Sequence, residues 1–153
     1  MLKASDMICI NFKTGQVEIP ANAAGVQIHS ATHKRRPDVH AVCHAHSIYG
    51  RAYSALGKPL EMLNQDVCNF YNAHSVYTSY GGVALAAEER ENIAAALGNG
   101  KATVLMNHGL LTVVQTVDEA AFSYRVLERS CRVQLLVDAA VAGGKMEKGW
   151  LGK

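Results

Sequence analysis

No stretch of this sequence approaches the roughly 20 consecutive apolar residues that span a bilayer. The opening segment MLKASDMICINF has no basic start followed by a long apolar core, so neither a membrane helix nor a secretory leader is expected. Cysteine is sparse, and Cys9, Cys43, Cys68 and Cys131 have neither the close pairing of a zinc knuckle nor the density of a disulfide scaffold. They read as reduced core thiols, and the expected location is the cytoplasm. An excess of one charge is also missing. The 15 basic and 13 acidic residues leave a formal charge of +2, which argues against nucleic acid or a membrane surface as partner. The one basic run, Lys34-Arg35-Arg36 before Pro37, reads as the solvated end of a helix, where cations complement the negative pole of the dipole. With no repeat, low-complexity tract or linker, 153 residues of 49% apolar content are expected to form one domain, residues 1–153, around one core.

What is present alternates between strand and helix patterns. Met7 to Phe12 is short and apolar, and Val17 to Ile19 can return as the second strand of a hairpin across Lys13-Thr14-Gly15-Gln16. Asn22 is placed to cap a helix from Ala23 to about Arg36, which Pro37 terminates. Val39 to His46 reads as a buried strand, and Ser47 to Leu56 as a helix ended by Gly57. Lys58 to Tyr80 is irregular, with Val76-Tyr77-Thr78 its best strand candidate. A helix from Ala86 to Leu97 closes at Gly98. Two apolar strands follow, Ala102 to Met106 and Leu110 to Val114, separated by Asn107-His108-Gly109. A long helix from Asp118 to Ala142 ends at Gly143-Gly144, and the tail, residues 143–153, is expected to be flexible. Interleaved strands and helices with short connections require a sheet covered by helices.

The chemistry concentrates in histidine. His44-Ala45-His46 places two imidazoles at i and i+2, which a strand directs to one face and can aim at one ion. Carbonyl partners serve such a pair equally well. His108 adds the third group, because it follows an apolar strand and precedes Gly109, whose freedom at positive φ allows a sharp turn. Three histidines at strand ends form an open site that leaves a position for water or substrate, unlike a closed structural zinc. A divalent transition metal, zinc first, is therefore the expected cofactor. Cupin sites follow their histidine pair with a glutamate, whereas Ser47-Ile48-Tyr49-Gly50 follows here. His29 and His33 lie one helical turn apart, but Ser30 stands where a metalloprotease helix needs glutamate.

The runs HSATHKRRPDVHAVCHAHSIYGRAYSALGKPL and GKATVLMNHGLLTVVQTVDEAAF together resemble the class II aldolase/adducin family. The resemblance extends from about Ala4 to Ala142, and is most specific at Arg36-Pro37-Asp38 leading into His44 and His46, and at Asn107-His108-Gly109. It implies an α/β fold of three α/β/α layers with a largely antiparallel central sheet, with His44, His46 and His108 as metal ligands. It also implies a homotetramer with sites between subunits, an assembly that Phe122 and Leu127 on the last helix are expected to serve. Two departures matter. Enzymes of the family carry a glutamate that assists proton transfer where this chain has Gly25, and the family's N-terminal portion, which holds substrate phosphate, has no counterpart before Ala4.

The expected function is a metal-dependent lyase acting on a small carbonyl or hydroxy-carbonyl compound, not a phosphosugar. It would work through a metal-stabilised enolate in C–C cleavage, decarboxylation or dehydration. Asp66, Tyr71 and His74, together with Gln65, are the candidate acid/base residues, with Glu61 behind them. The alternative is a non-catalytic oligomerisation module of the adducin type, which the glycine at position 25 favours and the three histidines oppose.

Overall fold

A computed structural model describes residues 3, 6–11, 14, 16, 23–79, 87–144 and 147–149. Two strands are buried at every position: β3, Ala102–Leu105, and β4, Gly109–Val114. Full burial of an apolar strand requires cover on both faces, and four helices supply it. They are α1 (Ala23–Arg35), α2 (Ile48–Ser54), α3 (Ala87–Leu97) and α4 (Val117–Ala142). β1 (Ala41–Ala45) and β2 (His74–Tyr77) complete a four-stranded sheet in the order β1-β4-β3-β2. The β1–β4 and β4–β3 pairings are antiparallel and β3–β2 is parallel. The sheet is therefore mixed, with two of its three pairings antiparallel.

Side chains alternate between the two faces, as strand geometry demands. Leu105, Leu111, Val113 and Tyr77 pack with Ile28 of α1 and with Ile93 and Leu97 of α3. Ala102, Val104 and Leu110 pack the other way, with Tyr53 of α2, with Leu127 and Cys131 of α4, and with Phe70 of a 3-10 turn at Val67–Phe70. The layers are thus α1/α3, sheet, α2/α4. Leu127, expected at an interface, lies in this core, whereas Phe122 is 63% exposed. Cys131 is buried and Cys43 half-buried, but Cys9 and Cys68 are exposed, so only part of the expected set of core thiols is met. All four are free.

Local chemistry sets the element ends. The Thr116 side chain accepts a hydrogen bond from Glu119 N and caps α4. Lys34 and Arg35 are exposed as expected, but the Arg36 side chain is only 16% exposed. Its guanidinium grips both oxygens of Asp38 at 2.8 and 2.7 Å and donates to the carbonyls of Gly98 and Gly100 at 2.9 and 3.1 Å. Arg36 therefore staples the end of α1 to the residues after α3, in the fork geometry that only arginine offers. β2 starts two residues earlier than expected, at His74. Within the expected tail, Lys148 Nζ lies 2.8 Å from Glu61 and 2.6 Å from Asp138. The expected return strand at residues 17–19 and the cap at residue 22 lie outside the described residues. Among the described residues, no helix is long and apolar enough to cross a membrane.

Candidate metal centre

β1 carries His44, and His46 follows immediately beyond its end. The register His44↔Leu111 and Ala45↔Leu110, with Leu105↔Gly109 on the far side of β4, sets this end of β1 beside the Met106–His108 turn. The expectation that Gly109 supplies a positive φ is corrected here: Asn107 does, at φ 57°. Asparagine tolerates this left-handed conformation better than most side chains. Gly109 is needed for a different reason. A Cβ on it would stand 2.6 Å from the Ala45 carbonyl oxygen and 3.3 Å from Cδ2 of His46, so its absence lets β4 approach the ligand-bearing strand.

The three rings converge. Their centroids are 5.2 Å apart for His44–His46, 5.0 Å for His44–His108 and 4.6 Å for His46–His108, all edge to face. One nitrogen from each ring lies within 4.8 Å of the other two, and among the described residues this is the one such group able to hold a metal ion. Three imidazole nitrogens so gathered fit the donor set of an open zinc site.

Protonation also suits metal binding. Nδ1 of His44 lies 2.9 Å from the Leu110 carbonyl oxygen. A carbonyl only accepts, so Nδ1 carries the proton and Nε2 keeps its lone pair. Burial lowers the His44 pKa to about 4, opposed by the Leu110 hydrogen bond and reinforced by His108, His46 and His29. Burial, then His46, lowers His108 as well, against a raising influence from Glu89. Both rings are neutral at neutral pH, the state in which imidazole binds a metal. His44 and His108 are half-buried and His46 is exposed, so the site opens to solvent.

Of the expected acid/base residues, His74 is set apart from this triad within the chain. His74 pairs with Ala102 at the start of β3, whereas His108 follows the end of that strand. They are separated by roughly 10 Å of strand. Both ring nitrogens of His74 are committed: Nδ1 donates to the Phe70 carbonyl at 2.8 Å, and Nε2 accepts from Leu60 N at 3.0 Å. Tyr71 is 65% exposed beside this histidine, and Asp66 is exposed just before the 3-10 turn. Gln65 is exposed, and Glu61 is held by Lys148. His33 Nδ1 donates to the Val39 carbonyl at 3.1 Å, which gives that ring a structural partner. The structure places other groups near the site instead. Tyr77 donates to Glu89 at 2.9 Å, and Glu89 influences His108. Ser47, immediately after His46, donates to Glu128 and lies within hydrogen-bond distance of the Tyr124 hydroxyl. No sequence signal marks the last two, which read as polar positions on an amphipathic helix.

Fold and site together define a class: the chain belongs to the class II aldolase/adducin family. Residues 1–135 match the family described as Class II Aldolase and Adducin N-terminal domain. The chain is 47% identical to the meiotically up-regulated gene 14 protein of Schizosaccharomyces pombe, over 95% of this chain and 58% of that protein. It is 46% identical to the decarboxylase NovR of Streptomyces niveus, over 83% of this chain and 46% of the relative. Among solved structures, L-fuculose 1-phosphate aldolase from Glaciozyma antarctica superposes with a TM-score of 0.79 at 41% identity, over 95% of this chain and 55% of that one. The chain thus spans about half the length of these relatives.

Proposed function

We propose that this chain carries the metal site of a divalent-metal-dependent lyase that breaks a carbon–carbon bond next to a carbonyl or hydroxyl-bearing carbon of a small molecule. The observation that carries the reading is the convergence of His44, His46 and His108, with two rings held neutral and one side open to solvent. Three nitrogen donors suit zinc, and leave room for a substrate oxygen. When bound, such an ion supplies Lewis-acid polarisation of a carbonyl and stabilises negative charge developing on its oxygen. The chain's own part is orientation. Leu110 fixes the His44 ring through Nδ1, and Gly109 admits the close approach that puts His108 against His46.

The names of two relatives support this class of reaction. A decarboxylase and an aldolase both break a carbon–carbon bond, and each is above 40% identical to this chain. The alternative, a non-catalytic module, leaves the triad without a purpose. Self-association through α4 is part of the proposal, because Val117, Phe122 and Leu136 are exposed on that helix; a tetramer is the expected form.

Elemental analysis of the purified protein, joined to a screen of 2-oxo acids for CO2 release and of phosphosugars for aldehyde release, tests the reading. One equivalent of zinc or another divalent transition metal is expected, lost in His44→Ala and His108→Ala, with turnover of a carbonyl compound. Protein that carries no metal and shows no affinity for added zinc would support the non-catalytic alternative.

A further inference from the structure

Glu128 sits in the middle of α4, 81 residues from Ser47 in sequence. Its carboxylate accepts three hydrogen bonds from the segment that follows His46: the Ser47 hydroxyl, Tyr49 N at 2.9 Å and Gly50 N at 2.7 Å. Tyr49 N and Gly50 N are among the amides that the first turn of α2 leaves without acceptors inside the helix. Ser47, at the N-cap position, makes no side-chain cap bond of its own. Glu128 thus caps α2 from a different helix, with charge-assisted hydrogen bonds and the favourable sign for that end of the helix dipole.

Tyr124 lies one turn earlier on the same face of α4. Its hydroxyl donates to the Ala45 carbonyl at 2.9 Å and lies 2.9 Å from Ser47 Oγ. Ala45 separates His44 from His46, and Ser47 follows His46. Two side chains of α4 therefore hold the residues on either side of His46, while Leu110 holds the His44 ring. Packing closes the same segment from the sheet side. A Cβ on Gly50 would stand 2.6 Å from Ser47 Oγ and 2.7 Å from Leu110 Cδ1, so glycine at that position lets α2 press against β4.

We infer that Tyr124 and Glu128 are positioning residues of the metal site: they hold the Ala45 carbonyl, the Ser47 hydroxyl and the Tyr49 and Gly50 amides, so that His44 and His46 meet His108. Neither is needed as a metal ligand, and both act through the segment that flanks His46. This inference rests on the metal-dependent reading of the triad given above.

The test is zinc affinity, measured by competition with a chromogenic chelator, together with the visible absorption of the cobalt(II)-substituted protein. Wild type is compared with Tyr124→Phe, Glu128→Gln and Glu128→Ala, and with Leu127→Val as a control that loosens the core beside Glu128 without touching the network. Loss of a group that orients metal ligands weakens binding by about tenfold or more, the result expected for Glu128→Ala. Tyr124→Phe removes one hydrogen bond, for which about fivefold is expected. Glu128→Gln, which keeps one acceptor oxygen, should fall between wild type and Glu128→Ala. All three should change the cobalt spectrum, while Leu127→Val lowers the melting temperature and leaves affinity and spectrum unchanged. Should Glu128→Ala fail to fold, Tyr124→Phe and Glu128→Gln decide the matter. Tight zinc binding by wild type with unchanged affinity and spectrum in the variants overturns this inference alone. A wild-type protein that binds neither zinc nor cobalt overturns the metal-dependent reading and this inference with it.

Discussion

Replacing Gly25 by glutamate tests both the helix and the chemistry. Gly25 lies in the first turn of α1, is not among the glycines with positive φ, and an added Cβ would find nothing within 4 Å among the described residues. A side chain is therefore accommodated without strain. Exchanging glycine for a straight-chain residue inside a helix recovers about 0.5 kcal/mol, and a carboxylate in the first turn adds roughly 0.3–1 kcal/mol through the dipole. The total of about 1 kcal/mol corresponds to a melting temperature higher by roughly 2–4 °C in a chain of this size. Melts of Gly25→Glu, Gly25→Ala and Gly25→Lys separate the two contributions, since lysine gains the propensity but opposes the dipole. A Gly25→Glu protein less stable than wild type would refute the placement of this residue. The functional arm follows from position. Gly25 is one turn before His29 on the same helix stripe, and His29 influences His44 electrostatically. α1 packs against β1, which follows it after a short turn. Ten helical residues span about 15 Å and five strand residues about 16 Å, so antiparallel packing of α1 on β1 would set position 25 level with the histidines. Zinc-loaded Gly25→Glu is expected to gain enolisation or retro-aldol activity by a factor of roughly 10²–10⁴, while the unmodified chain shows little or none on phosphosugars. A variant that folds and binds zinc but gains nothing removes the missing carboxylate as the explanation.

Acidification of the metal-free protein should destabilise it. The His44 pKa is depressed from 6.5 to about 4 in the folded state, so its contribution is intact above 6.5 and is lost as pH falls toward 4, reaching about 2 kcal/mol at pH 5. His108 and His29 are shifted in the same direction. Urea unfolding at pH 7.5 and 5 checks this, and a His44→Gln variant with undiminished pH dependence would contradict it. Gly109→Ala drives a Cβ to 2.6 Å from a backbone oxygen, an overlap expected to cost about 1–3 kcal/mol and to weaken zinc binding; unchanged values of both would remove the close-approach argument. Arg36→Ala strips the Gly98 and Gly100 carbonyls of a charged donor, with an expected loss of about 1–3 kcal/mol by chemical denaturation. Arg36→Lys should rescue little of it, because an ammonium cannot span Asp38 and both carbonyls.

The elements with unbroken apolar runs or regular helical spacing were legible in the sequence. Ala102–Leu105, Gly109–Val114 and the α4 helix fall within a residue or two of expectation, because burial on both faces, or on one helix stripe, leaves a periodic trace. The histidine cluster was legible for a related reason: spacing of two on a strand fixes a shared face. Strand direction leaves no such trace. β2 runs parallel to β3, so the start of β2, where His74 lies, is carried to the end of the sheet away from His108. His74, one of the expected acid/base residues, goes with it. In the sequence Arg36 reads as a solvated cation because its acceptors are backbone carbonyls 62 and 64 residues away, which no local pattern announces. Asn107 took the positive φ expected of Gly109 for the same kind of reason: the demand on Gly109 comes from the neighbouring strand, not from its own turn.

Among the described residues β1 is an edge strand, paired only with β4. His44 and His46 belong to that edge, while His108 belongs to the turn between the two inner strands. An ion bound to all three therefore bridges the margin of the sheet to its interior and closes the long loop of chain from His46 to His108. Such a bridge stabilises through mass action, by about 2.7 kcal/mol when free ion exceeds its dissociation constant a hundredfold. The centre proposed for chemistry is then also a latch. Its strength would follow the metal supply, and protein stripped of such an ion would be a more fragile molecule as well as an idle one.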